Sequence, residues 1–352
     1  MTLDWLETPS LILDMDVMEE NARAMKKLLE EKGLALRPHY KSHKSPYIAH
    51  MQMRDGAKGI CCAKLSEAED LIRSGIEDVL IANQLTQASK IARAAYLAGC
   101  CRLTVCVDNE RNIEELEAAA AFQGSTIYCL VEYEVGMNRC GVAKPEEFAA
   151  LAKKIKTCPH LVYDGIQAYA GHLAHIVEFD KRKLEAEKVE TRVRELKDYL
   201  DKAGLPAREV SGTSTGTVGF RPKGSVYTEI QAGSYLFMDT AYGALNLNFK
   251  SSLFVLTQVL SVSPVSVVVD GGMKTISSDQ KMPAFRDYPN ATVNLSEEHS
   301  TIPNPGGLKV GDRLMMIPGH CCTTINLHDY IYLYRGNKVV DRIPVTSRGK
   351  SI

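Results

Sequence analysis

A chain of 352 residues with 45% hydrophobic and 24% charged content can bury a large core, either as two domains or as one barrel with an appendage. Its net charge of −1, with basic residues gathered into no single arm, argues against nucleic acid or an anionic membrane surface as a main partner. The N-terminus MTLDWLETPS carries acids where a signal peptide needs a basic flank and an apolar run, and no segment reaches the length of a membrane span, so a cytoplasmic protein is expected.

In chain order, SLILD reads as a strand, and residues 16–32 as a helix with acids early, lysines late and Gly33 as its stop. Eight apolar runs follow: LALRPHYK, KGICCA, DVLIAN, RLTVCVD, STIYCLVE, LVYDGIQAY, AREVSG and TEIQAG. Helical segments such as SEAEDLIRSG, TQASKIARAAYLAG and the charged stretch 178–204 separate most of them. Eight strands in this rhythm predict a (β/α)8 barrel of the TIM type. A doubly wound open sheet is the alternative, but no GxGxxG opens a helix after the first strand. From Ser251 onward the strands are closely spaced with no clear helix between them, which predicts a second, all-β domain. The expected division is a barrel over 8–245 and a β-domain over 246–352 that also takes residues 1–14. Several of the ten cysteines sit inside apolar runs (GICCA, LTVCV, IYCLV) and read as core thiols rather than disulfide partners.

The stretch RPHYKSHKS concentrates positive charge behind an apolar run. Read as a strand, it puts Arg37, His39, Lys41 and His43 on one face, where crowded cations would lower the pKa of a lysine and ready it as nucleophile or base. A solvated basic patch is the alternative. The run SGTSTGT, residues 211–217, follows another strand end, and its small residues leave backbone N–H groups able to surround a phosphate. A lysine and a phosphate cradle on one barrel rim suit pyridoxal 5'-phosphate, which needs a Schiff-base lysine and phosphate anchoring.

RPHYKSHKS, EYEVGMNRCG, QAYAGHLAH, SGTSTGT, EIQAGSYLFMD, DGGMKTISSD, SEEHS and PGHCCTTIN appear in that order, from about Thr8 to the last strands. Together they resemble the D-threonine aldolase and D-serine dehydratase family, fold type III enzymes whose barrel is shared with alanine racemase. The resemblance implies that Lys41 is the Schiff-base lysine, with His39 and Gln167 close to the cofactor, Arg139 near its phenolic oxygen and Tyr169 beside it. It implies a phosphate loop of Gly212, Ser214, Gly216 and Thr217, continued by Gly233, Ser234 and Tyr235. His320 and Cys322 match the family's divalent metal pair, and the family's assembly is a head-to-tail homodimer. Position 134 is Glu where Asp is expected, and position 174 is Ala where Gln is common.

In that family the aldolases commonly show His-x-Asp and the dehydratases His-x-Cys. His320-Cys321-Cys322 is of the second kind. A thiolate with an imidazole favours Zn2+, whereas a carboxylate suits Mn2+ or Mg2+. The expectation is a zinc-assisted dehydratase of D-serine or D-threo-3-hydroxyaspartate, giving a 2-oxo acid and ammonia. The alternative is a D-threonine or 3-hydroxy-D-aspartate aldolase giving glycine and an aldehyde. A racemase and a pyridoxal-phosphate-binding protein without turnover are more remote readings.

Overall fold

The computed structural model describes residues 1–352. Contacts divide the chain into two compact units, one of Met1–Met25, Ser42–Tyr47 and Ser234–Gly349, the other of Lys26–Lys41, Ile48–Gly233 and Lys350–Ile352. The boundary drawn by contacts thus falls between Gly233 and Ser234, against 245 and 246 from the sequence. The first unit also takes more of the N-terminus than residues 1–14.

In the second unit eight parallel strands, Ala35–Leu36, Ile60–Cys62, Asp78–Ile81, Arg102–Val107, Ile127–Glu132, Leu161–Ala168, Glu209–Gly212 and Glu229–Ile230, fall in the eight runs read from the sequence. Their order closes on itself. Ala35–Leu36 pairs with Glu229–Ile230, and a parallel bridge from His39 to Cys61, with Cys61 N–H donating to the Pro38 carbonyl at 2.9 Å, joins the first strand to the second. Strands buried on both faces explain the unbroken apolar runs. The runs also hold the thiols of Cys61, Cys62, Cys106 and Cys129, all fully buried and free. Burial pushes the Cys61 thiol up to about 12, so it is an inert core group. Helices between the strands start and stop on local signals. Asn109 accepts from the Asn112 amide at 2.9 Å to open Glu110–Gln123, and left-handed Gly124 (φ 63°) ends it. A side chain at Gly165 (φ 146°) would collide with the Glu209 carbonyl, so the register shift between Ile127–Glu132 and Leu161–Ala168 needs a glycine there.

The barrel interior corrects the expected cationic face. The strand ends at Leu36, the chain turns through a 3-10 helix over Tyr40–Ser42, and Lys41 lies in that turn, half-buried. Pro38, with no N–H to donate, cannot extend a ladder. Arg37 is buried and already paired, with Nε 2.8 Å from Glu229 and Nη1 2.7 Å from Asp78. Its charge is therefore compensated and is not free to act on Lys41.

In the first unit the strand Ser10–Asp14 lies in the C-terminal sheet, parallel to Tyr330–Arg335 and antiparallel to Leu253–Val262. That sheet is mixed and nine-stranded. The N-terminal helix Met15–Lys32 is tied to it by buried Asn21, whose amide donates to the Leu236 and Lys250 carbonyls at 3.1 and 2.8 Å and accepts from the Lys250 N–H at 2.9 Å. No helix is long and apolar enough to cross a membrane.

Asn21→Ala strands the N–H and the carbonyl of Lys250, each costing about 1–3 kcal/mol, while the Leu236 carbonyl keeps the Ser252 hydroxyl. It is expected to lower the thermal midpoint by several degrees in a calorimetric scan, with an unchanged midpoint contradicting the tie.

Candidate active site

The site residues fall into sets that each unit carries separately. In the barrel unit, Lys41 Nζ lies 5.9 Å from the centroid of the Tyr169 ring, and the Arg139 guanidinium 6.0 Å from the same centroid. Two cations thus converge on one aromatic ring. Tyr169 follows the strand Leu161–Ala168 directly, at the carboxyl end where barrels of this type place reacting groups. The backbone N–H of Lys41 points at His39 Nδ1, 3.3 Å away, so the buried imidazole braces the turn that carries the lysine.

Arg139 is braced from behind. Glu132, at the end of the strand Ile127–Glu132, lies 3.9 Å from Arg139 Nη2 and accepts from Gln84 Nε2 at 2.6 Å. Burial raises the pKa of the Glu132 carboxyl, against the opposing pull of Gln84 and Arg139. Glu134 organises the loop between that strand and Arg139. Its Oε1 accepts the N–H groups of Gly136 and Asn138 at 2.6 and 2.9 Å, and these amides hold its pKa low despite partial burial. The longer glutamate, where aspartate was expected, thus reaches two amides of a turn with positive φ at Gly136 (105°) and Asn138 (53°). Glu132 was not singled out from sequence, and Glu134 was noted only as a departure with no role given. Both lie within the quoted EYEVGMNRCG segment, which was the one available signal.

The barrel-side polar core continues from Gln167. Its Oε1 accepts from Gln231 Nε2 at 2.8 Å, and Gln231 also donates to Ser211 Oγ at 2.8 Å. Ser211 in turn donates to Glu229 at 2.7 Å. Gln167 is therefore held in one orientation by a fully buried chain that ends on an ion pair. Beyond Ser211 the loop turns sharply at Thr213, a non-glycine residue with φ 65°. Ser214 and Thr217 face each other, their hydroxyls 3.3 Å apart, in a buried turn. This is the hydroxyl-lined loop expected for a phosphate. Gly212 ends the strand before it and packs on the Ala168 carbonyl, and Gly216 lies within it. Gly233 closes the barrel unit in sequence.

In the β-domain unit Ser234 and Tyr235 are buried in a 3-10 turn, Ser234–Leu236. The HCC segment runs into a helix rather than a strand. His320 is extended and caps a one-turn helix, Cys321–Ile325, started by the Cys321 N–H donating to buried Asp239 at 2.9 Å. Cys321 is fully buried and Cys322 half-buried. The two thiols lie 3.9 Å apart, and a hydrogen bond joins His320 to Cys322. Burial works against a charged His320 ring, but Cys322 and Asp279 outweigh it and raise the imidazole to about 9. Asp279 is itself held at about 2, because hydrogen bonds from Ser277, His320 and Thr323 outweigh partial burial.

The donor sets fit the groups expected from sequence. Lys41, Arg139, a tyrosine ring and a Ser/Thr loop can meet the aldehyde carbon, phenolic oxygen, ring face and phosphate of pyridoxal phosphate. An imidazole with a thiol suits a soft divalent cation, which would displace their shared proton.

The fold and these donor sets define an enzyme of the alanine racemase type. The family description "Alanine racemase, N-terminal domain" matches residues 13–241, and "Putative serine dehydratase domain" matches residues 252–334. The 3-hydroxy-D-aspartate aldolase of Paracoccus denitrificans (strain Pd 1222) is 38% identical over 98% of this chain and 93% of its own. The crystal structure of D-threonine aldolase from Filomicrobium marinum superposes with a TM-score of 0.96 at 36% identity, covering 99% of this chain and 98% of that one. The D-threo-3-hydroxyaspartate dehydratase of Delftia sp. (strain HT23) is 27% identical over 92% of this chain and 93% of its own. The chain belongs to the family of D-threonine aldolase and 3-hydroxy-D-aspartate aldolase, pyridoxal-phosphate lyases that also have dehydratase relatives.

Glu134→Ala removes the acceptor of two loop amides. Hydrogen exchange at Gly136 and Asn138 is expected to accelerate at least tenfold, and unchanged protection would show that the loop is organised by something else.

Proposed function

We propose that this protein cleaves the Cα–Cβ bond of a D-3-hydroxy amino acid, releasing glycine and an aldehyde, with pyridoxal phosphate carried on Lys41 and a divalent cation held by His320 and Cys322. The observation that carries the choice of cleavage over dehydration is the full-length similarity to two aldolases at 36–38% identity, against 27% to a dehydratase. The dehydratase expected from the HCC triplet rested on one ligand, and one ligand weighs less than the whole chain.

When bound, the cofactor supplies an electron sink for the pair left on Cα, and the cation acidifies the β-hydroxyl. The chain supplies everything else. Lys41 fixes the cofactor and is the group able to hold a proton beside Cα. Arg139, braced by Glu132 and Glu134, faces the cofactor's phenolic oxygen, and Tyr169 supports its ring. Gly212, Ser214, Gly216 and Thr217, with Gly233, Ser234 and Tyr235 from the following segment, bind its phosphate, and His39 and Gln167 hold their neighbours in place. His320 and Cys322 keep the cation soft, which favours Zn2+ over Mn2+ and Mg2+. The β-hydroxyl proton would pass to solvent water as the Cα–Cβ bond breaks and the C–O bond becomes the aldehyde carbonyl, and Cα would take a proton from Lys41 to give glycine. A homodimer belongs to this reading, on the strength of the resemblance.

A second reading has its own observation. A His–Cys cation site also suits a Lewis acid that receives a departing hydroxide, which would give a 2-oxo acid and ammonia. Incubation of the cofactor- and Zn2+-loaded protein with D-threonine, D-threo-3-hydroxyaspartate and D-serine separates the two. Glycine with acetaldehyde or glyoxylate is expected; 2-oxo acid and ammonia without glycine would overturn the aldolase reading. Cys322→Ala is expected to lose the cation and at least tenfold in turnover, whereas Cys321→Ala, whose thiol is buried, keeps both.

A further inference from the structure

Asp279 closes the DGGMKTISSD motif, where the resemblance gives it no role, yet it is held by more contacts than either proposed cation ligand needs. Its Oδ2 lies 2.9 Å from His320 Nδ1. Its Oδ1 accepts from Ser277 Oγ and, at 2.8 Å, from Thr323 Oγ1. Ser277 precedes it by two residues, and Thr323 lies on the helix that His320 caps. The backbone locks the same place. Gly319 N–H donates to the Ser277 carbonyl at 3.0 Å, and a side chain at Gly319 would collide with the carbonyl of Lys281 and approach that of Ser277 to 2.6 Å. The segment 277–281 and the turn that presents His320 are therefore packed backbone to backbone, with Asp279 between them.

A carboxylate gripped by three donors has one position, and so holds the imidazole in one plane. An anion at Nδ1 keeps the proton of the neutral ring on Nδ1 and the lone pair on Nε2, the tautomer a cation requires. Asp279 is not taken as a ligand itself, because both its oxygens are engaged, Oδ2 with His320 and Oδ1 with Ser277 and Thr323.

We propose that Asp279 is the positioning residue of the His320–Cys322 cation site, fixing the tautomer and plane of His320. This rests on the cation reading above. At 47% side-chain exposure, Asp279 can be changed without opening a core.

The test is Zn2+ affinity of the full-length, cofactor-loaded protein, measured by competition with a chromogenic chelator, together with the Co2+ spectrum. Asp279→Asn is expected to bind Zn2+ roughly 10–100-fold more weakly, with the thiolate-to-Co2+ charge-transfer band retained because Cys322 still ligates. Asp279→Glu, which restores the anion, is expected to recover affinity that Asn does not. Wild-type affinity in Asp279→Asn, loss of the thiolate band, or a Glu variant no better than Asn would each overturn the proposal. His320→Ala separates the two levels: if it retains wild-type affinity, the cation site itself is misplaced, whatever Asp279 does.

Discussion

Arg37 is the constraint on which the barrel and its lysine depend. It sits one residue past the end of the two-residue strand Ala35–Leu36, is 4% exposed, and pairs with Glu229 on the adjoining strand and with Asp78 on the strand beyond Ile60–Cys62. Burial opposes its charge, but the two carboxylates hold it firmly protonated. Such an arrangement stabilises little against an apolar replacement, yet removing one partner leaves a buried charge and costs about 3–5 kcal/mol. Its value is therefore positional. The seam of the barrel is joined by only a few backbone bonds around Pro38 and Cys61, and the arginine pins that seam just before His39 and Lys41.

The same carboxylate serves the other side of the interior. Glu229 takes Arg37 and Ser211 on one oxygen, and Ser211 orients Gln231 and through it Gln167. An inner layer that barrels of this type fill with branched apolar side chains is here a connected polar chain. Polar groups buried in a connected network restrict one another's orientation. One end of that network is Arg37, three residues before the turn bearing Lys41, and the other is the strand end preceding Tyr169, whose ring is approached by both Lys41 and Arg139.

The strands of the barrel were readable because each is an apolar run bounded by turn residues, a pattern set by local burial. The phosphate loop was readable for a similar reason, since small and hydroxyl residues cluster over seven consecutive positions, 211–217. What sequence could not supply were partners far along the chain. Arg37 looked like part of a free cationic face because Glu229 lies 192 residues away and Asp78 lies 41 away. The helix that His320 caps gave no local signal, because the acceptor that starts it, Asp239, is 82 residues upstream. Asp279 stood inside a quoted motif without a role, 41 residues from the histidine it holds. The choice between cleavage and dehydration was drawn from one cysteine, and whole-chain similarity weighs on the other side.

The central claim is that the pinned turn after Arg37 is where the cofactor attaches. Borohydride reduction of the pyridoxal-phosphate-loaded protein, followed by proteolysis and mass spectrometry, tests it directly. The account predicts a single pyridoxyl group on the peptide containing Lys41, at about one per chain. A pyridoxyl group on Lys44 or Lys58, with Lys41 unlabelled, would contradict it.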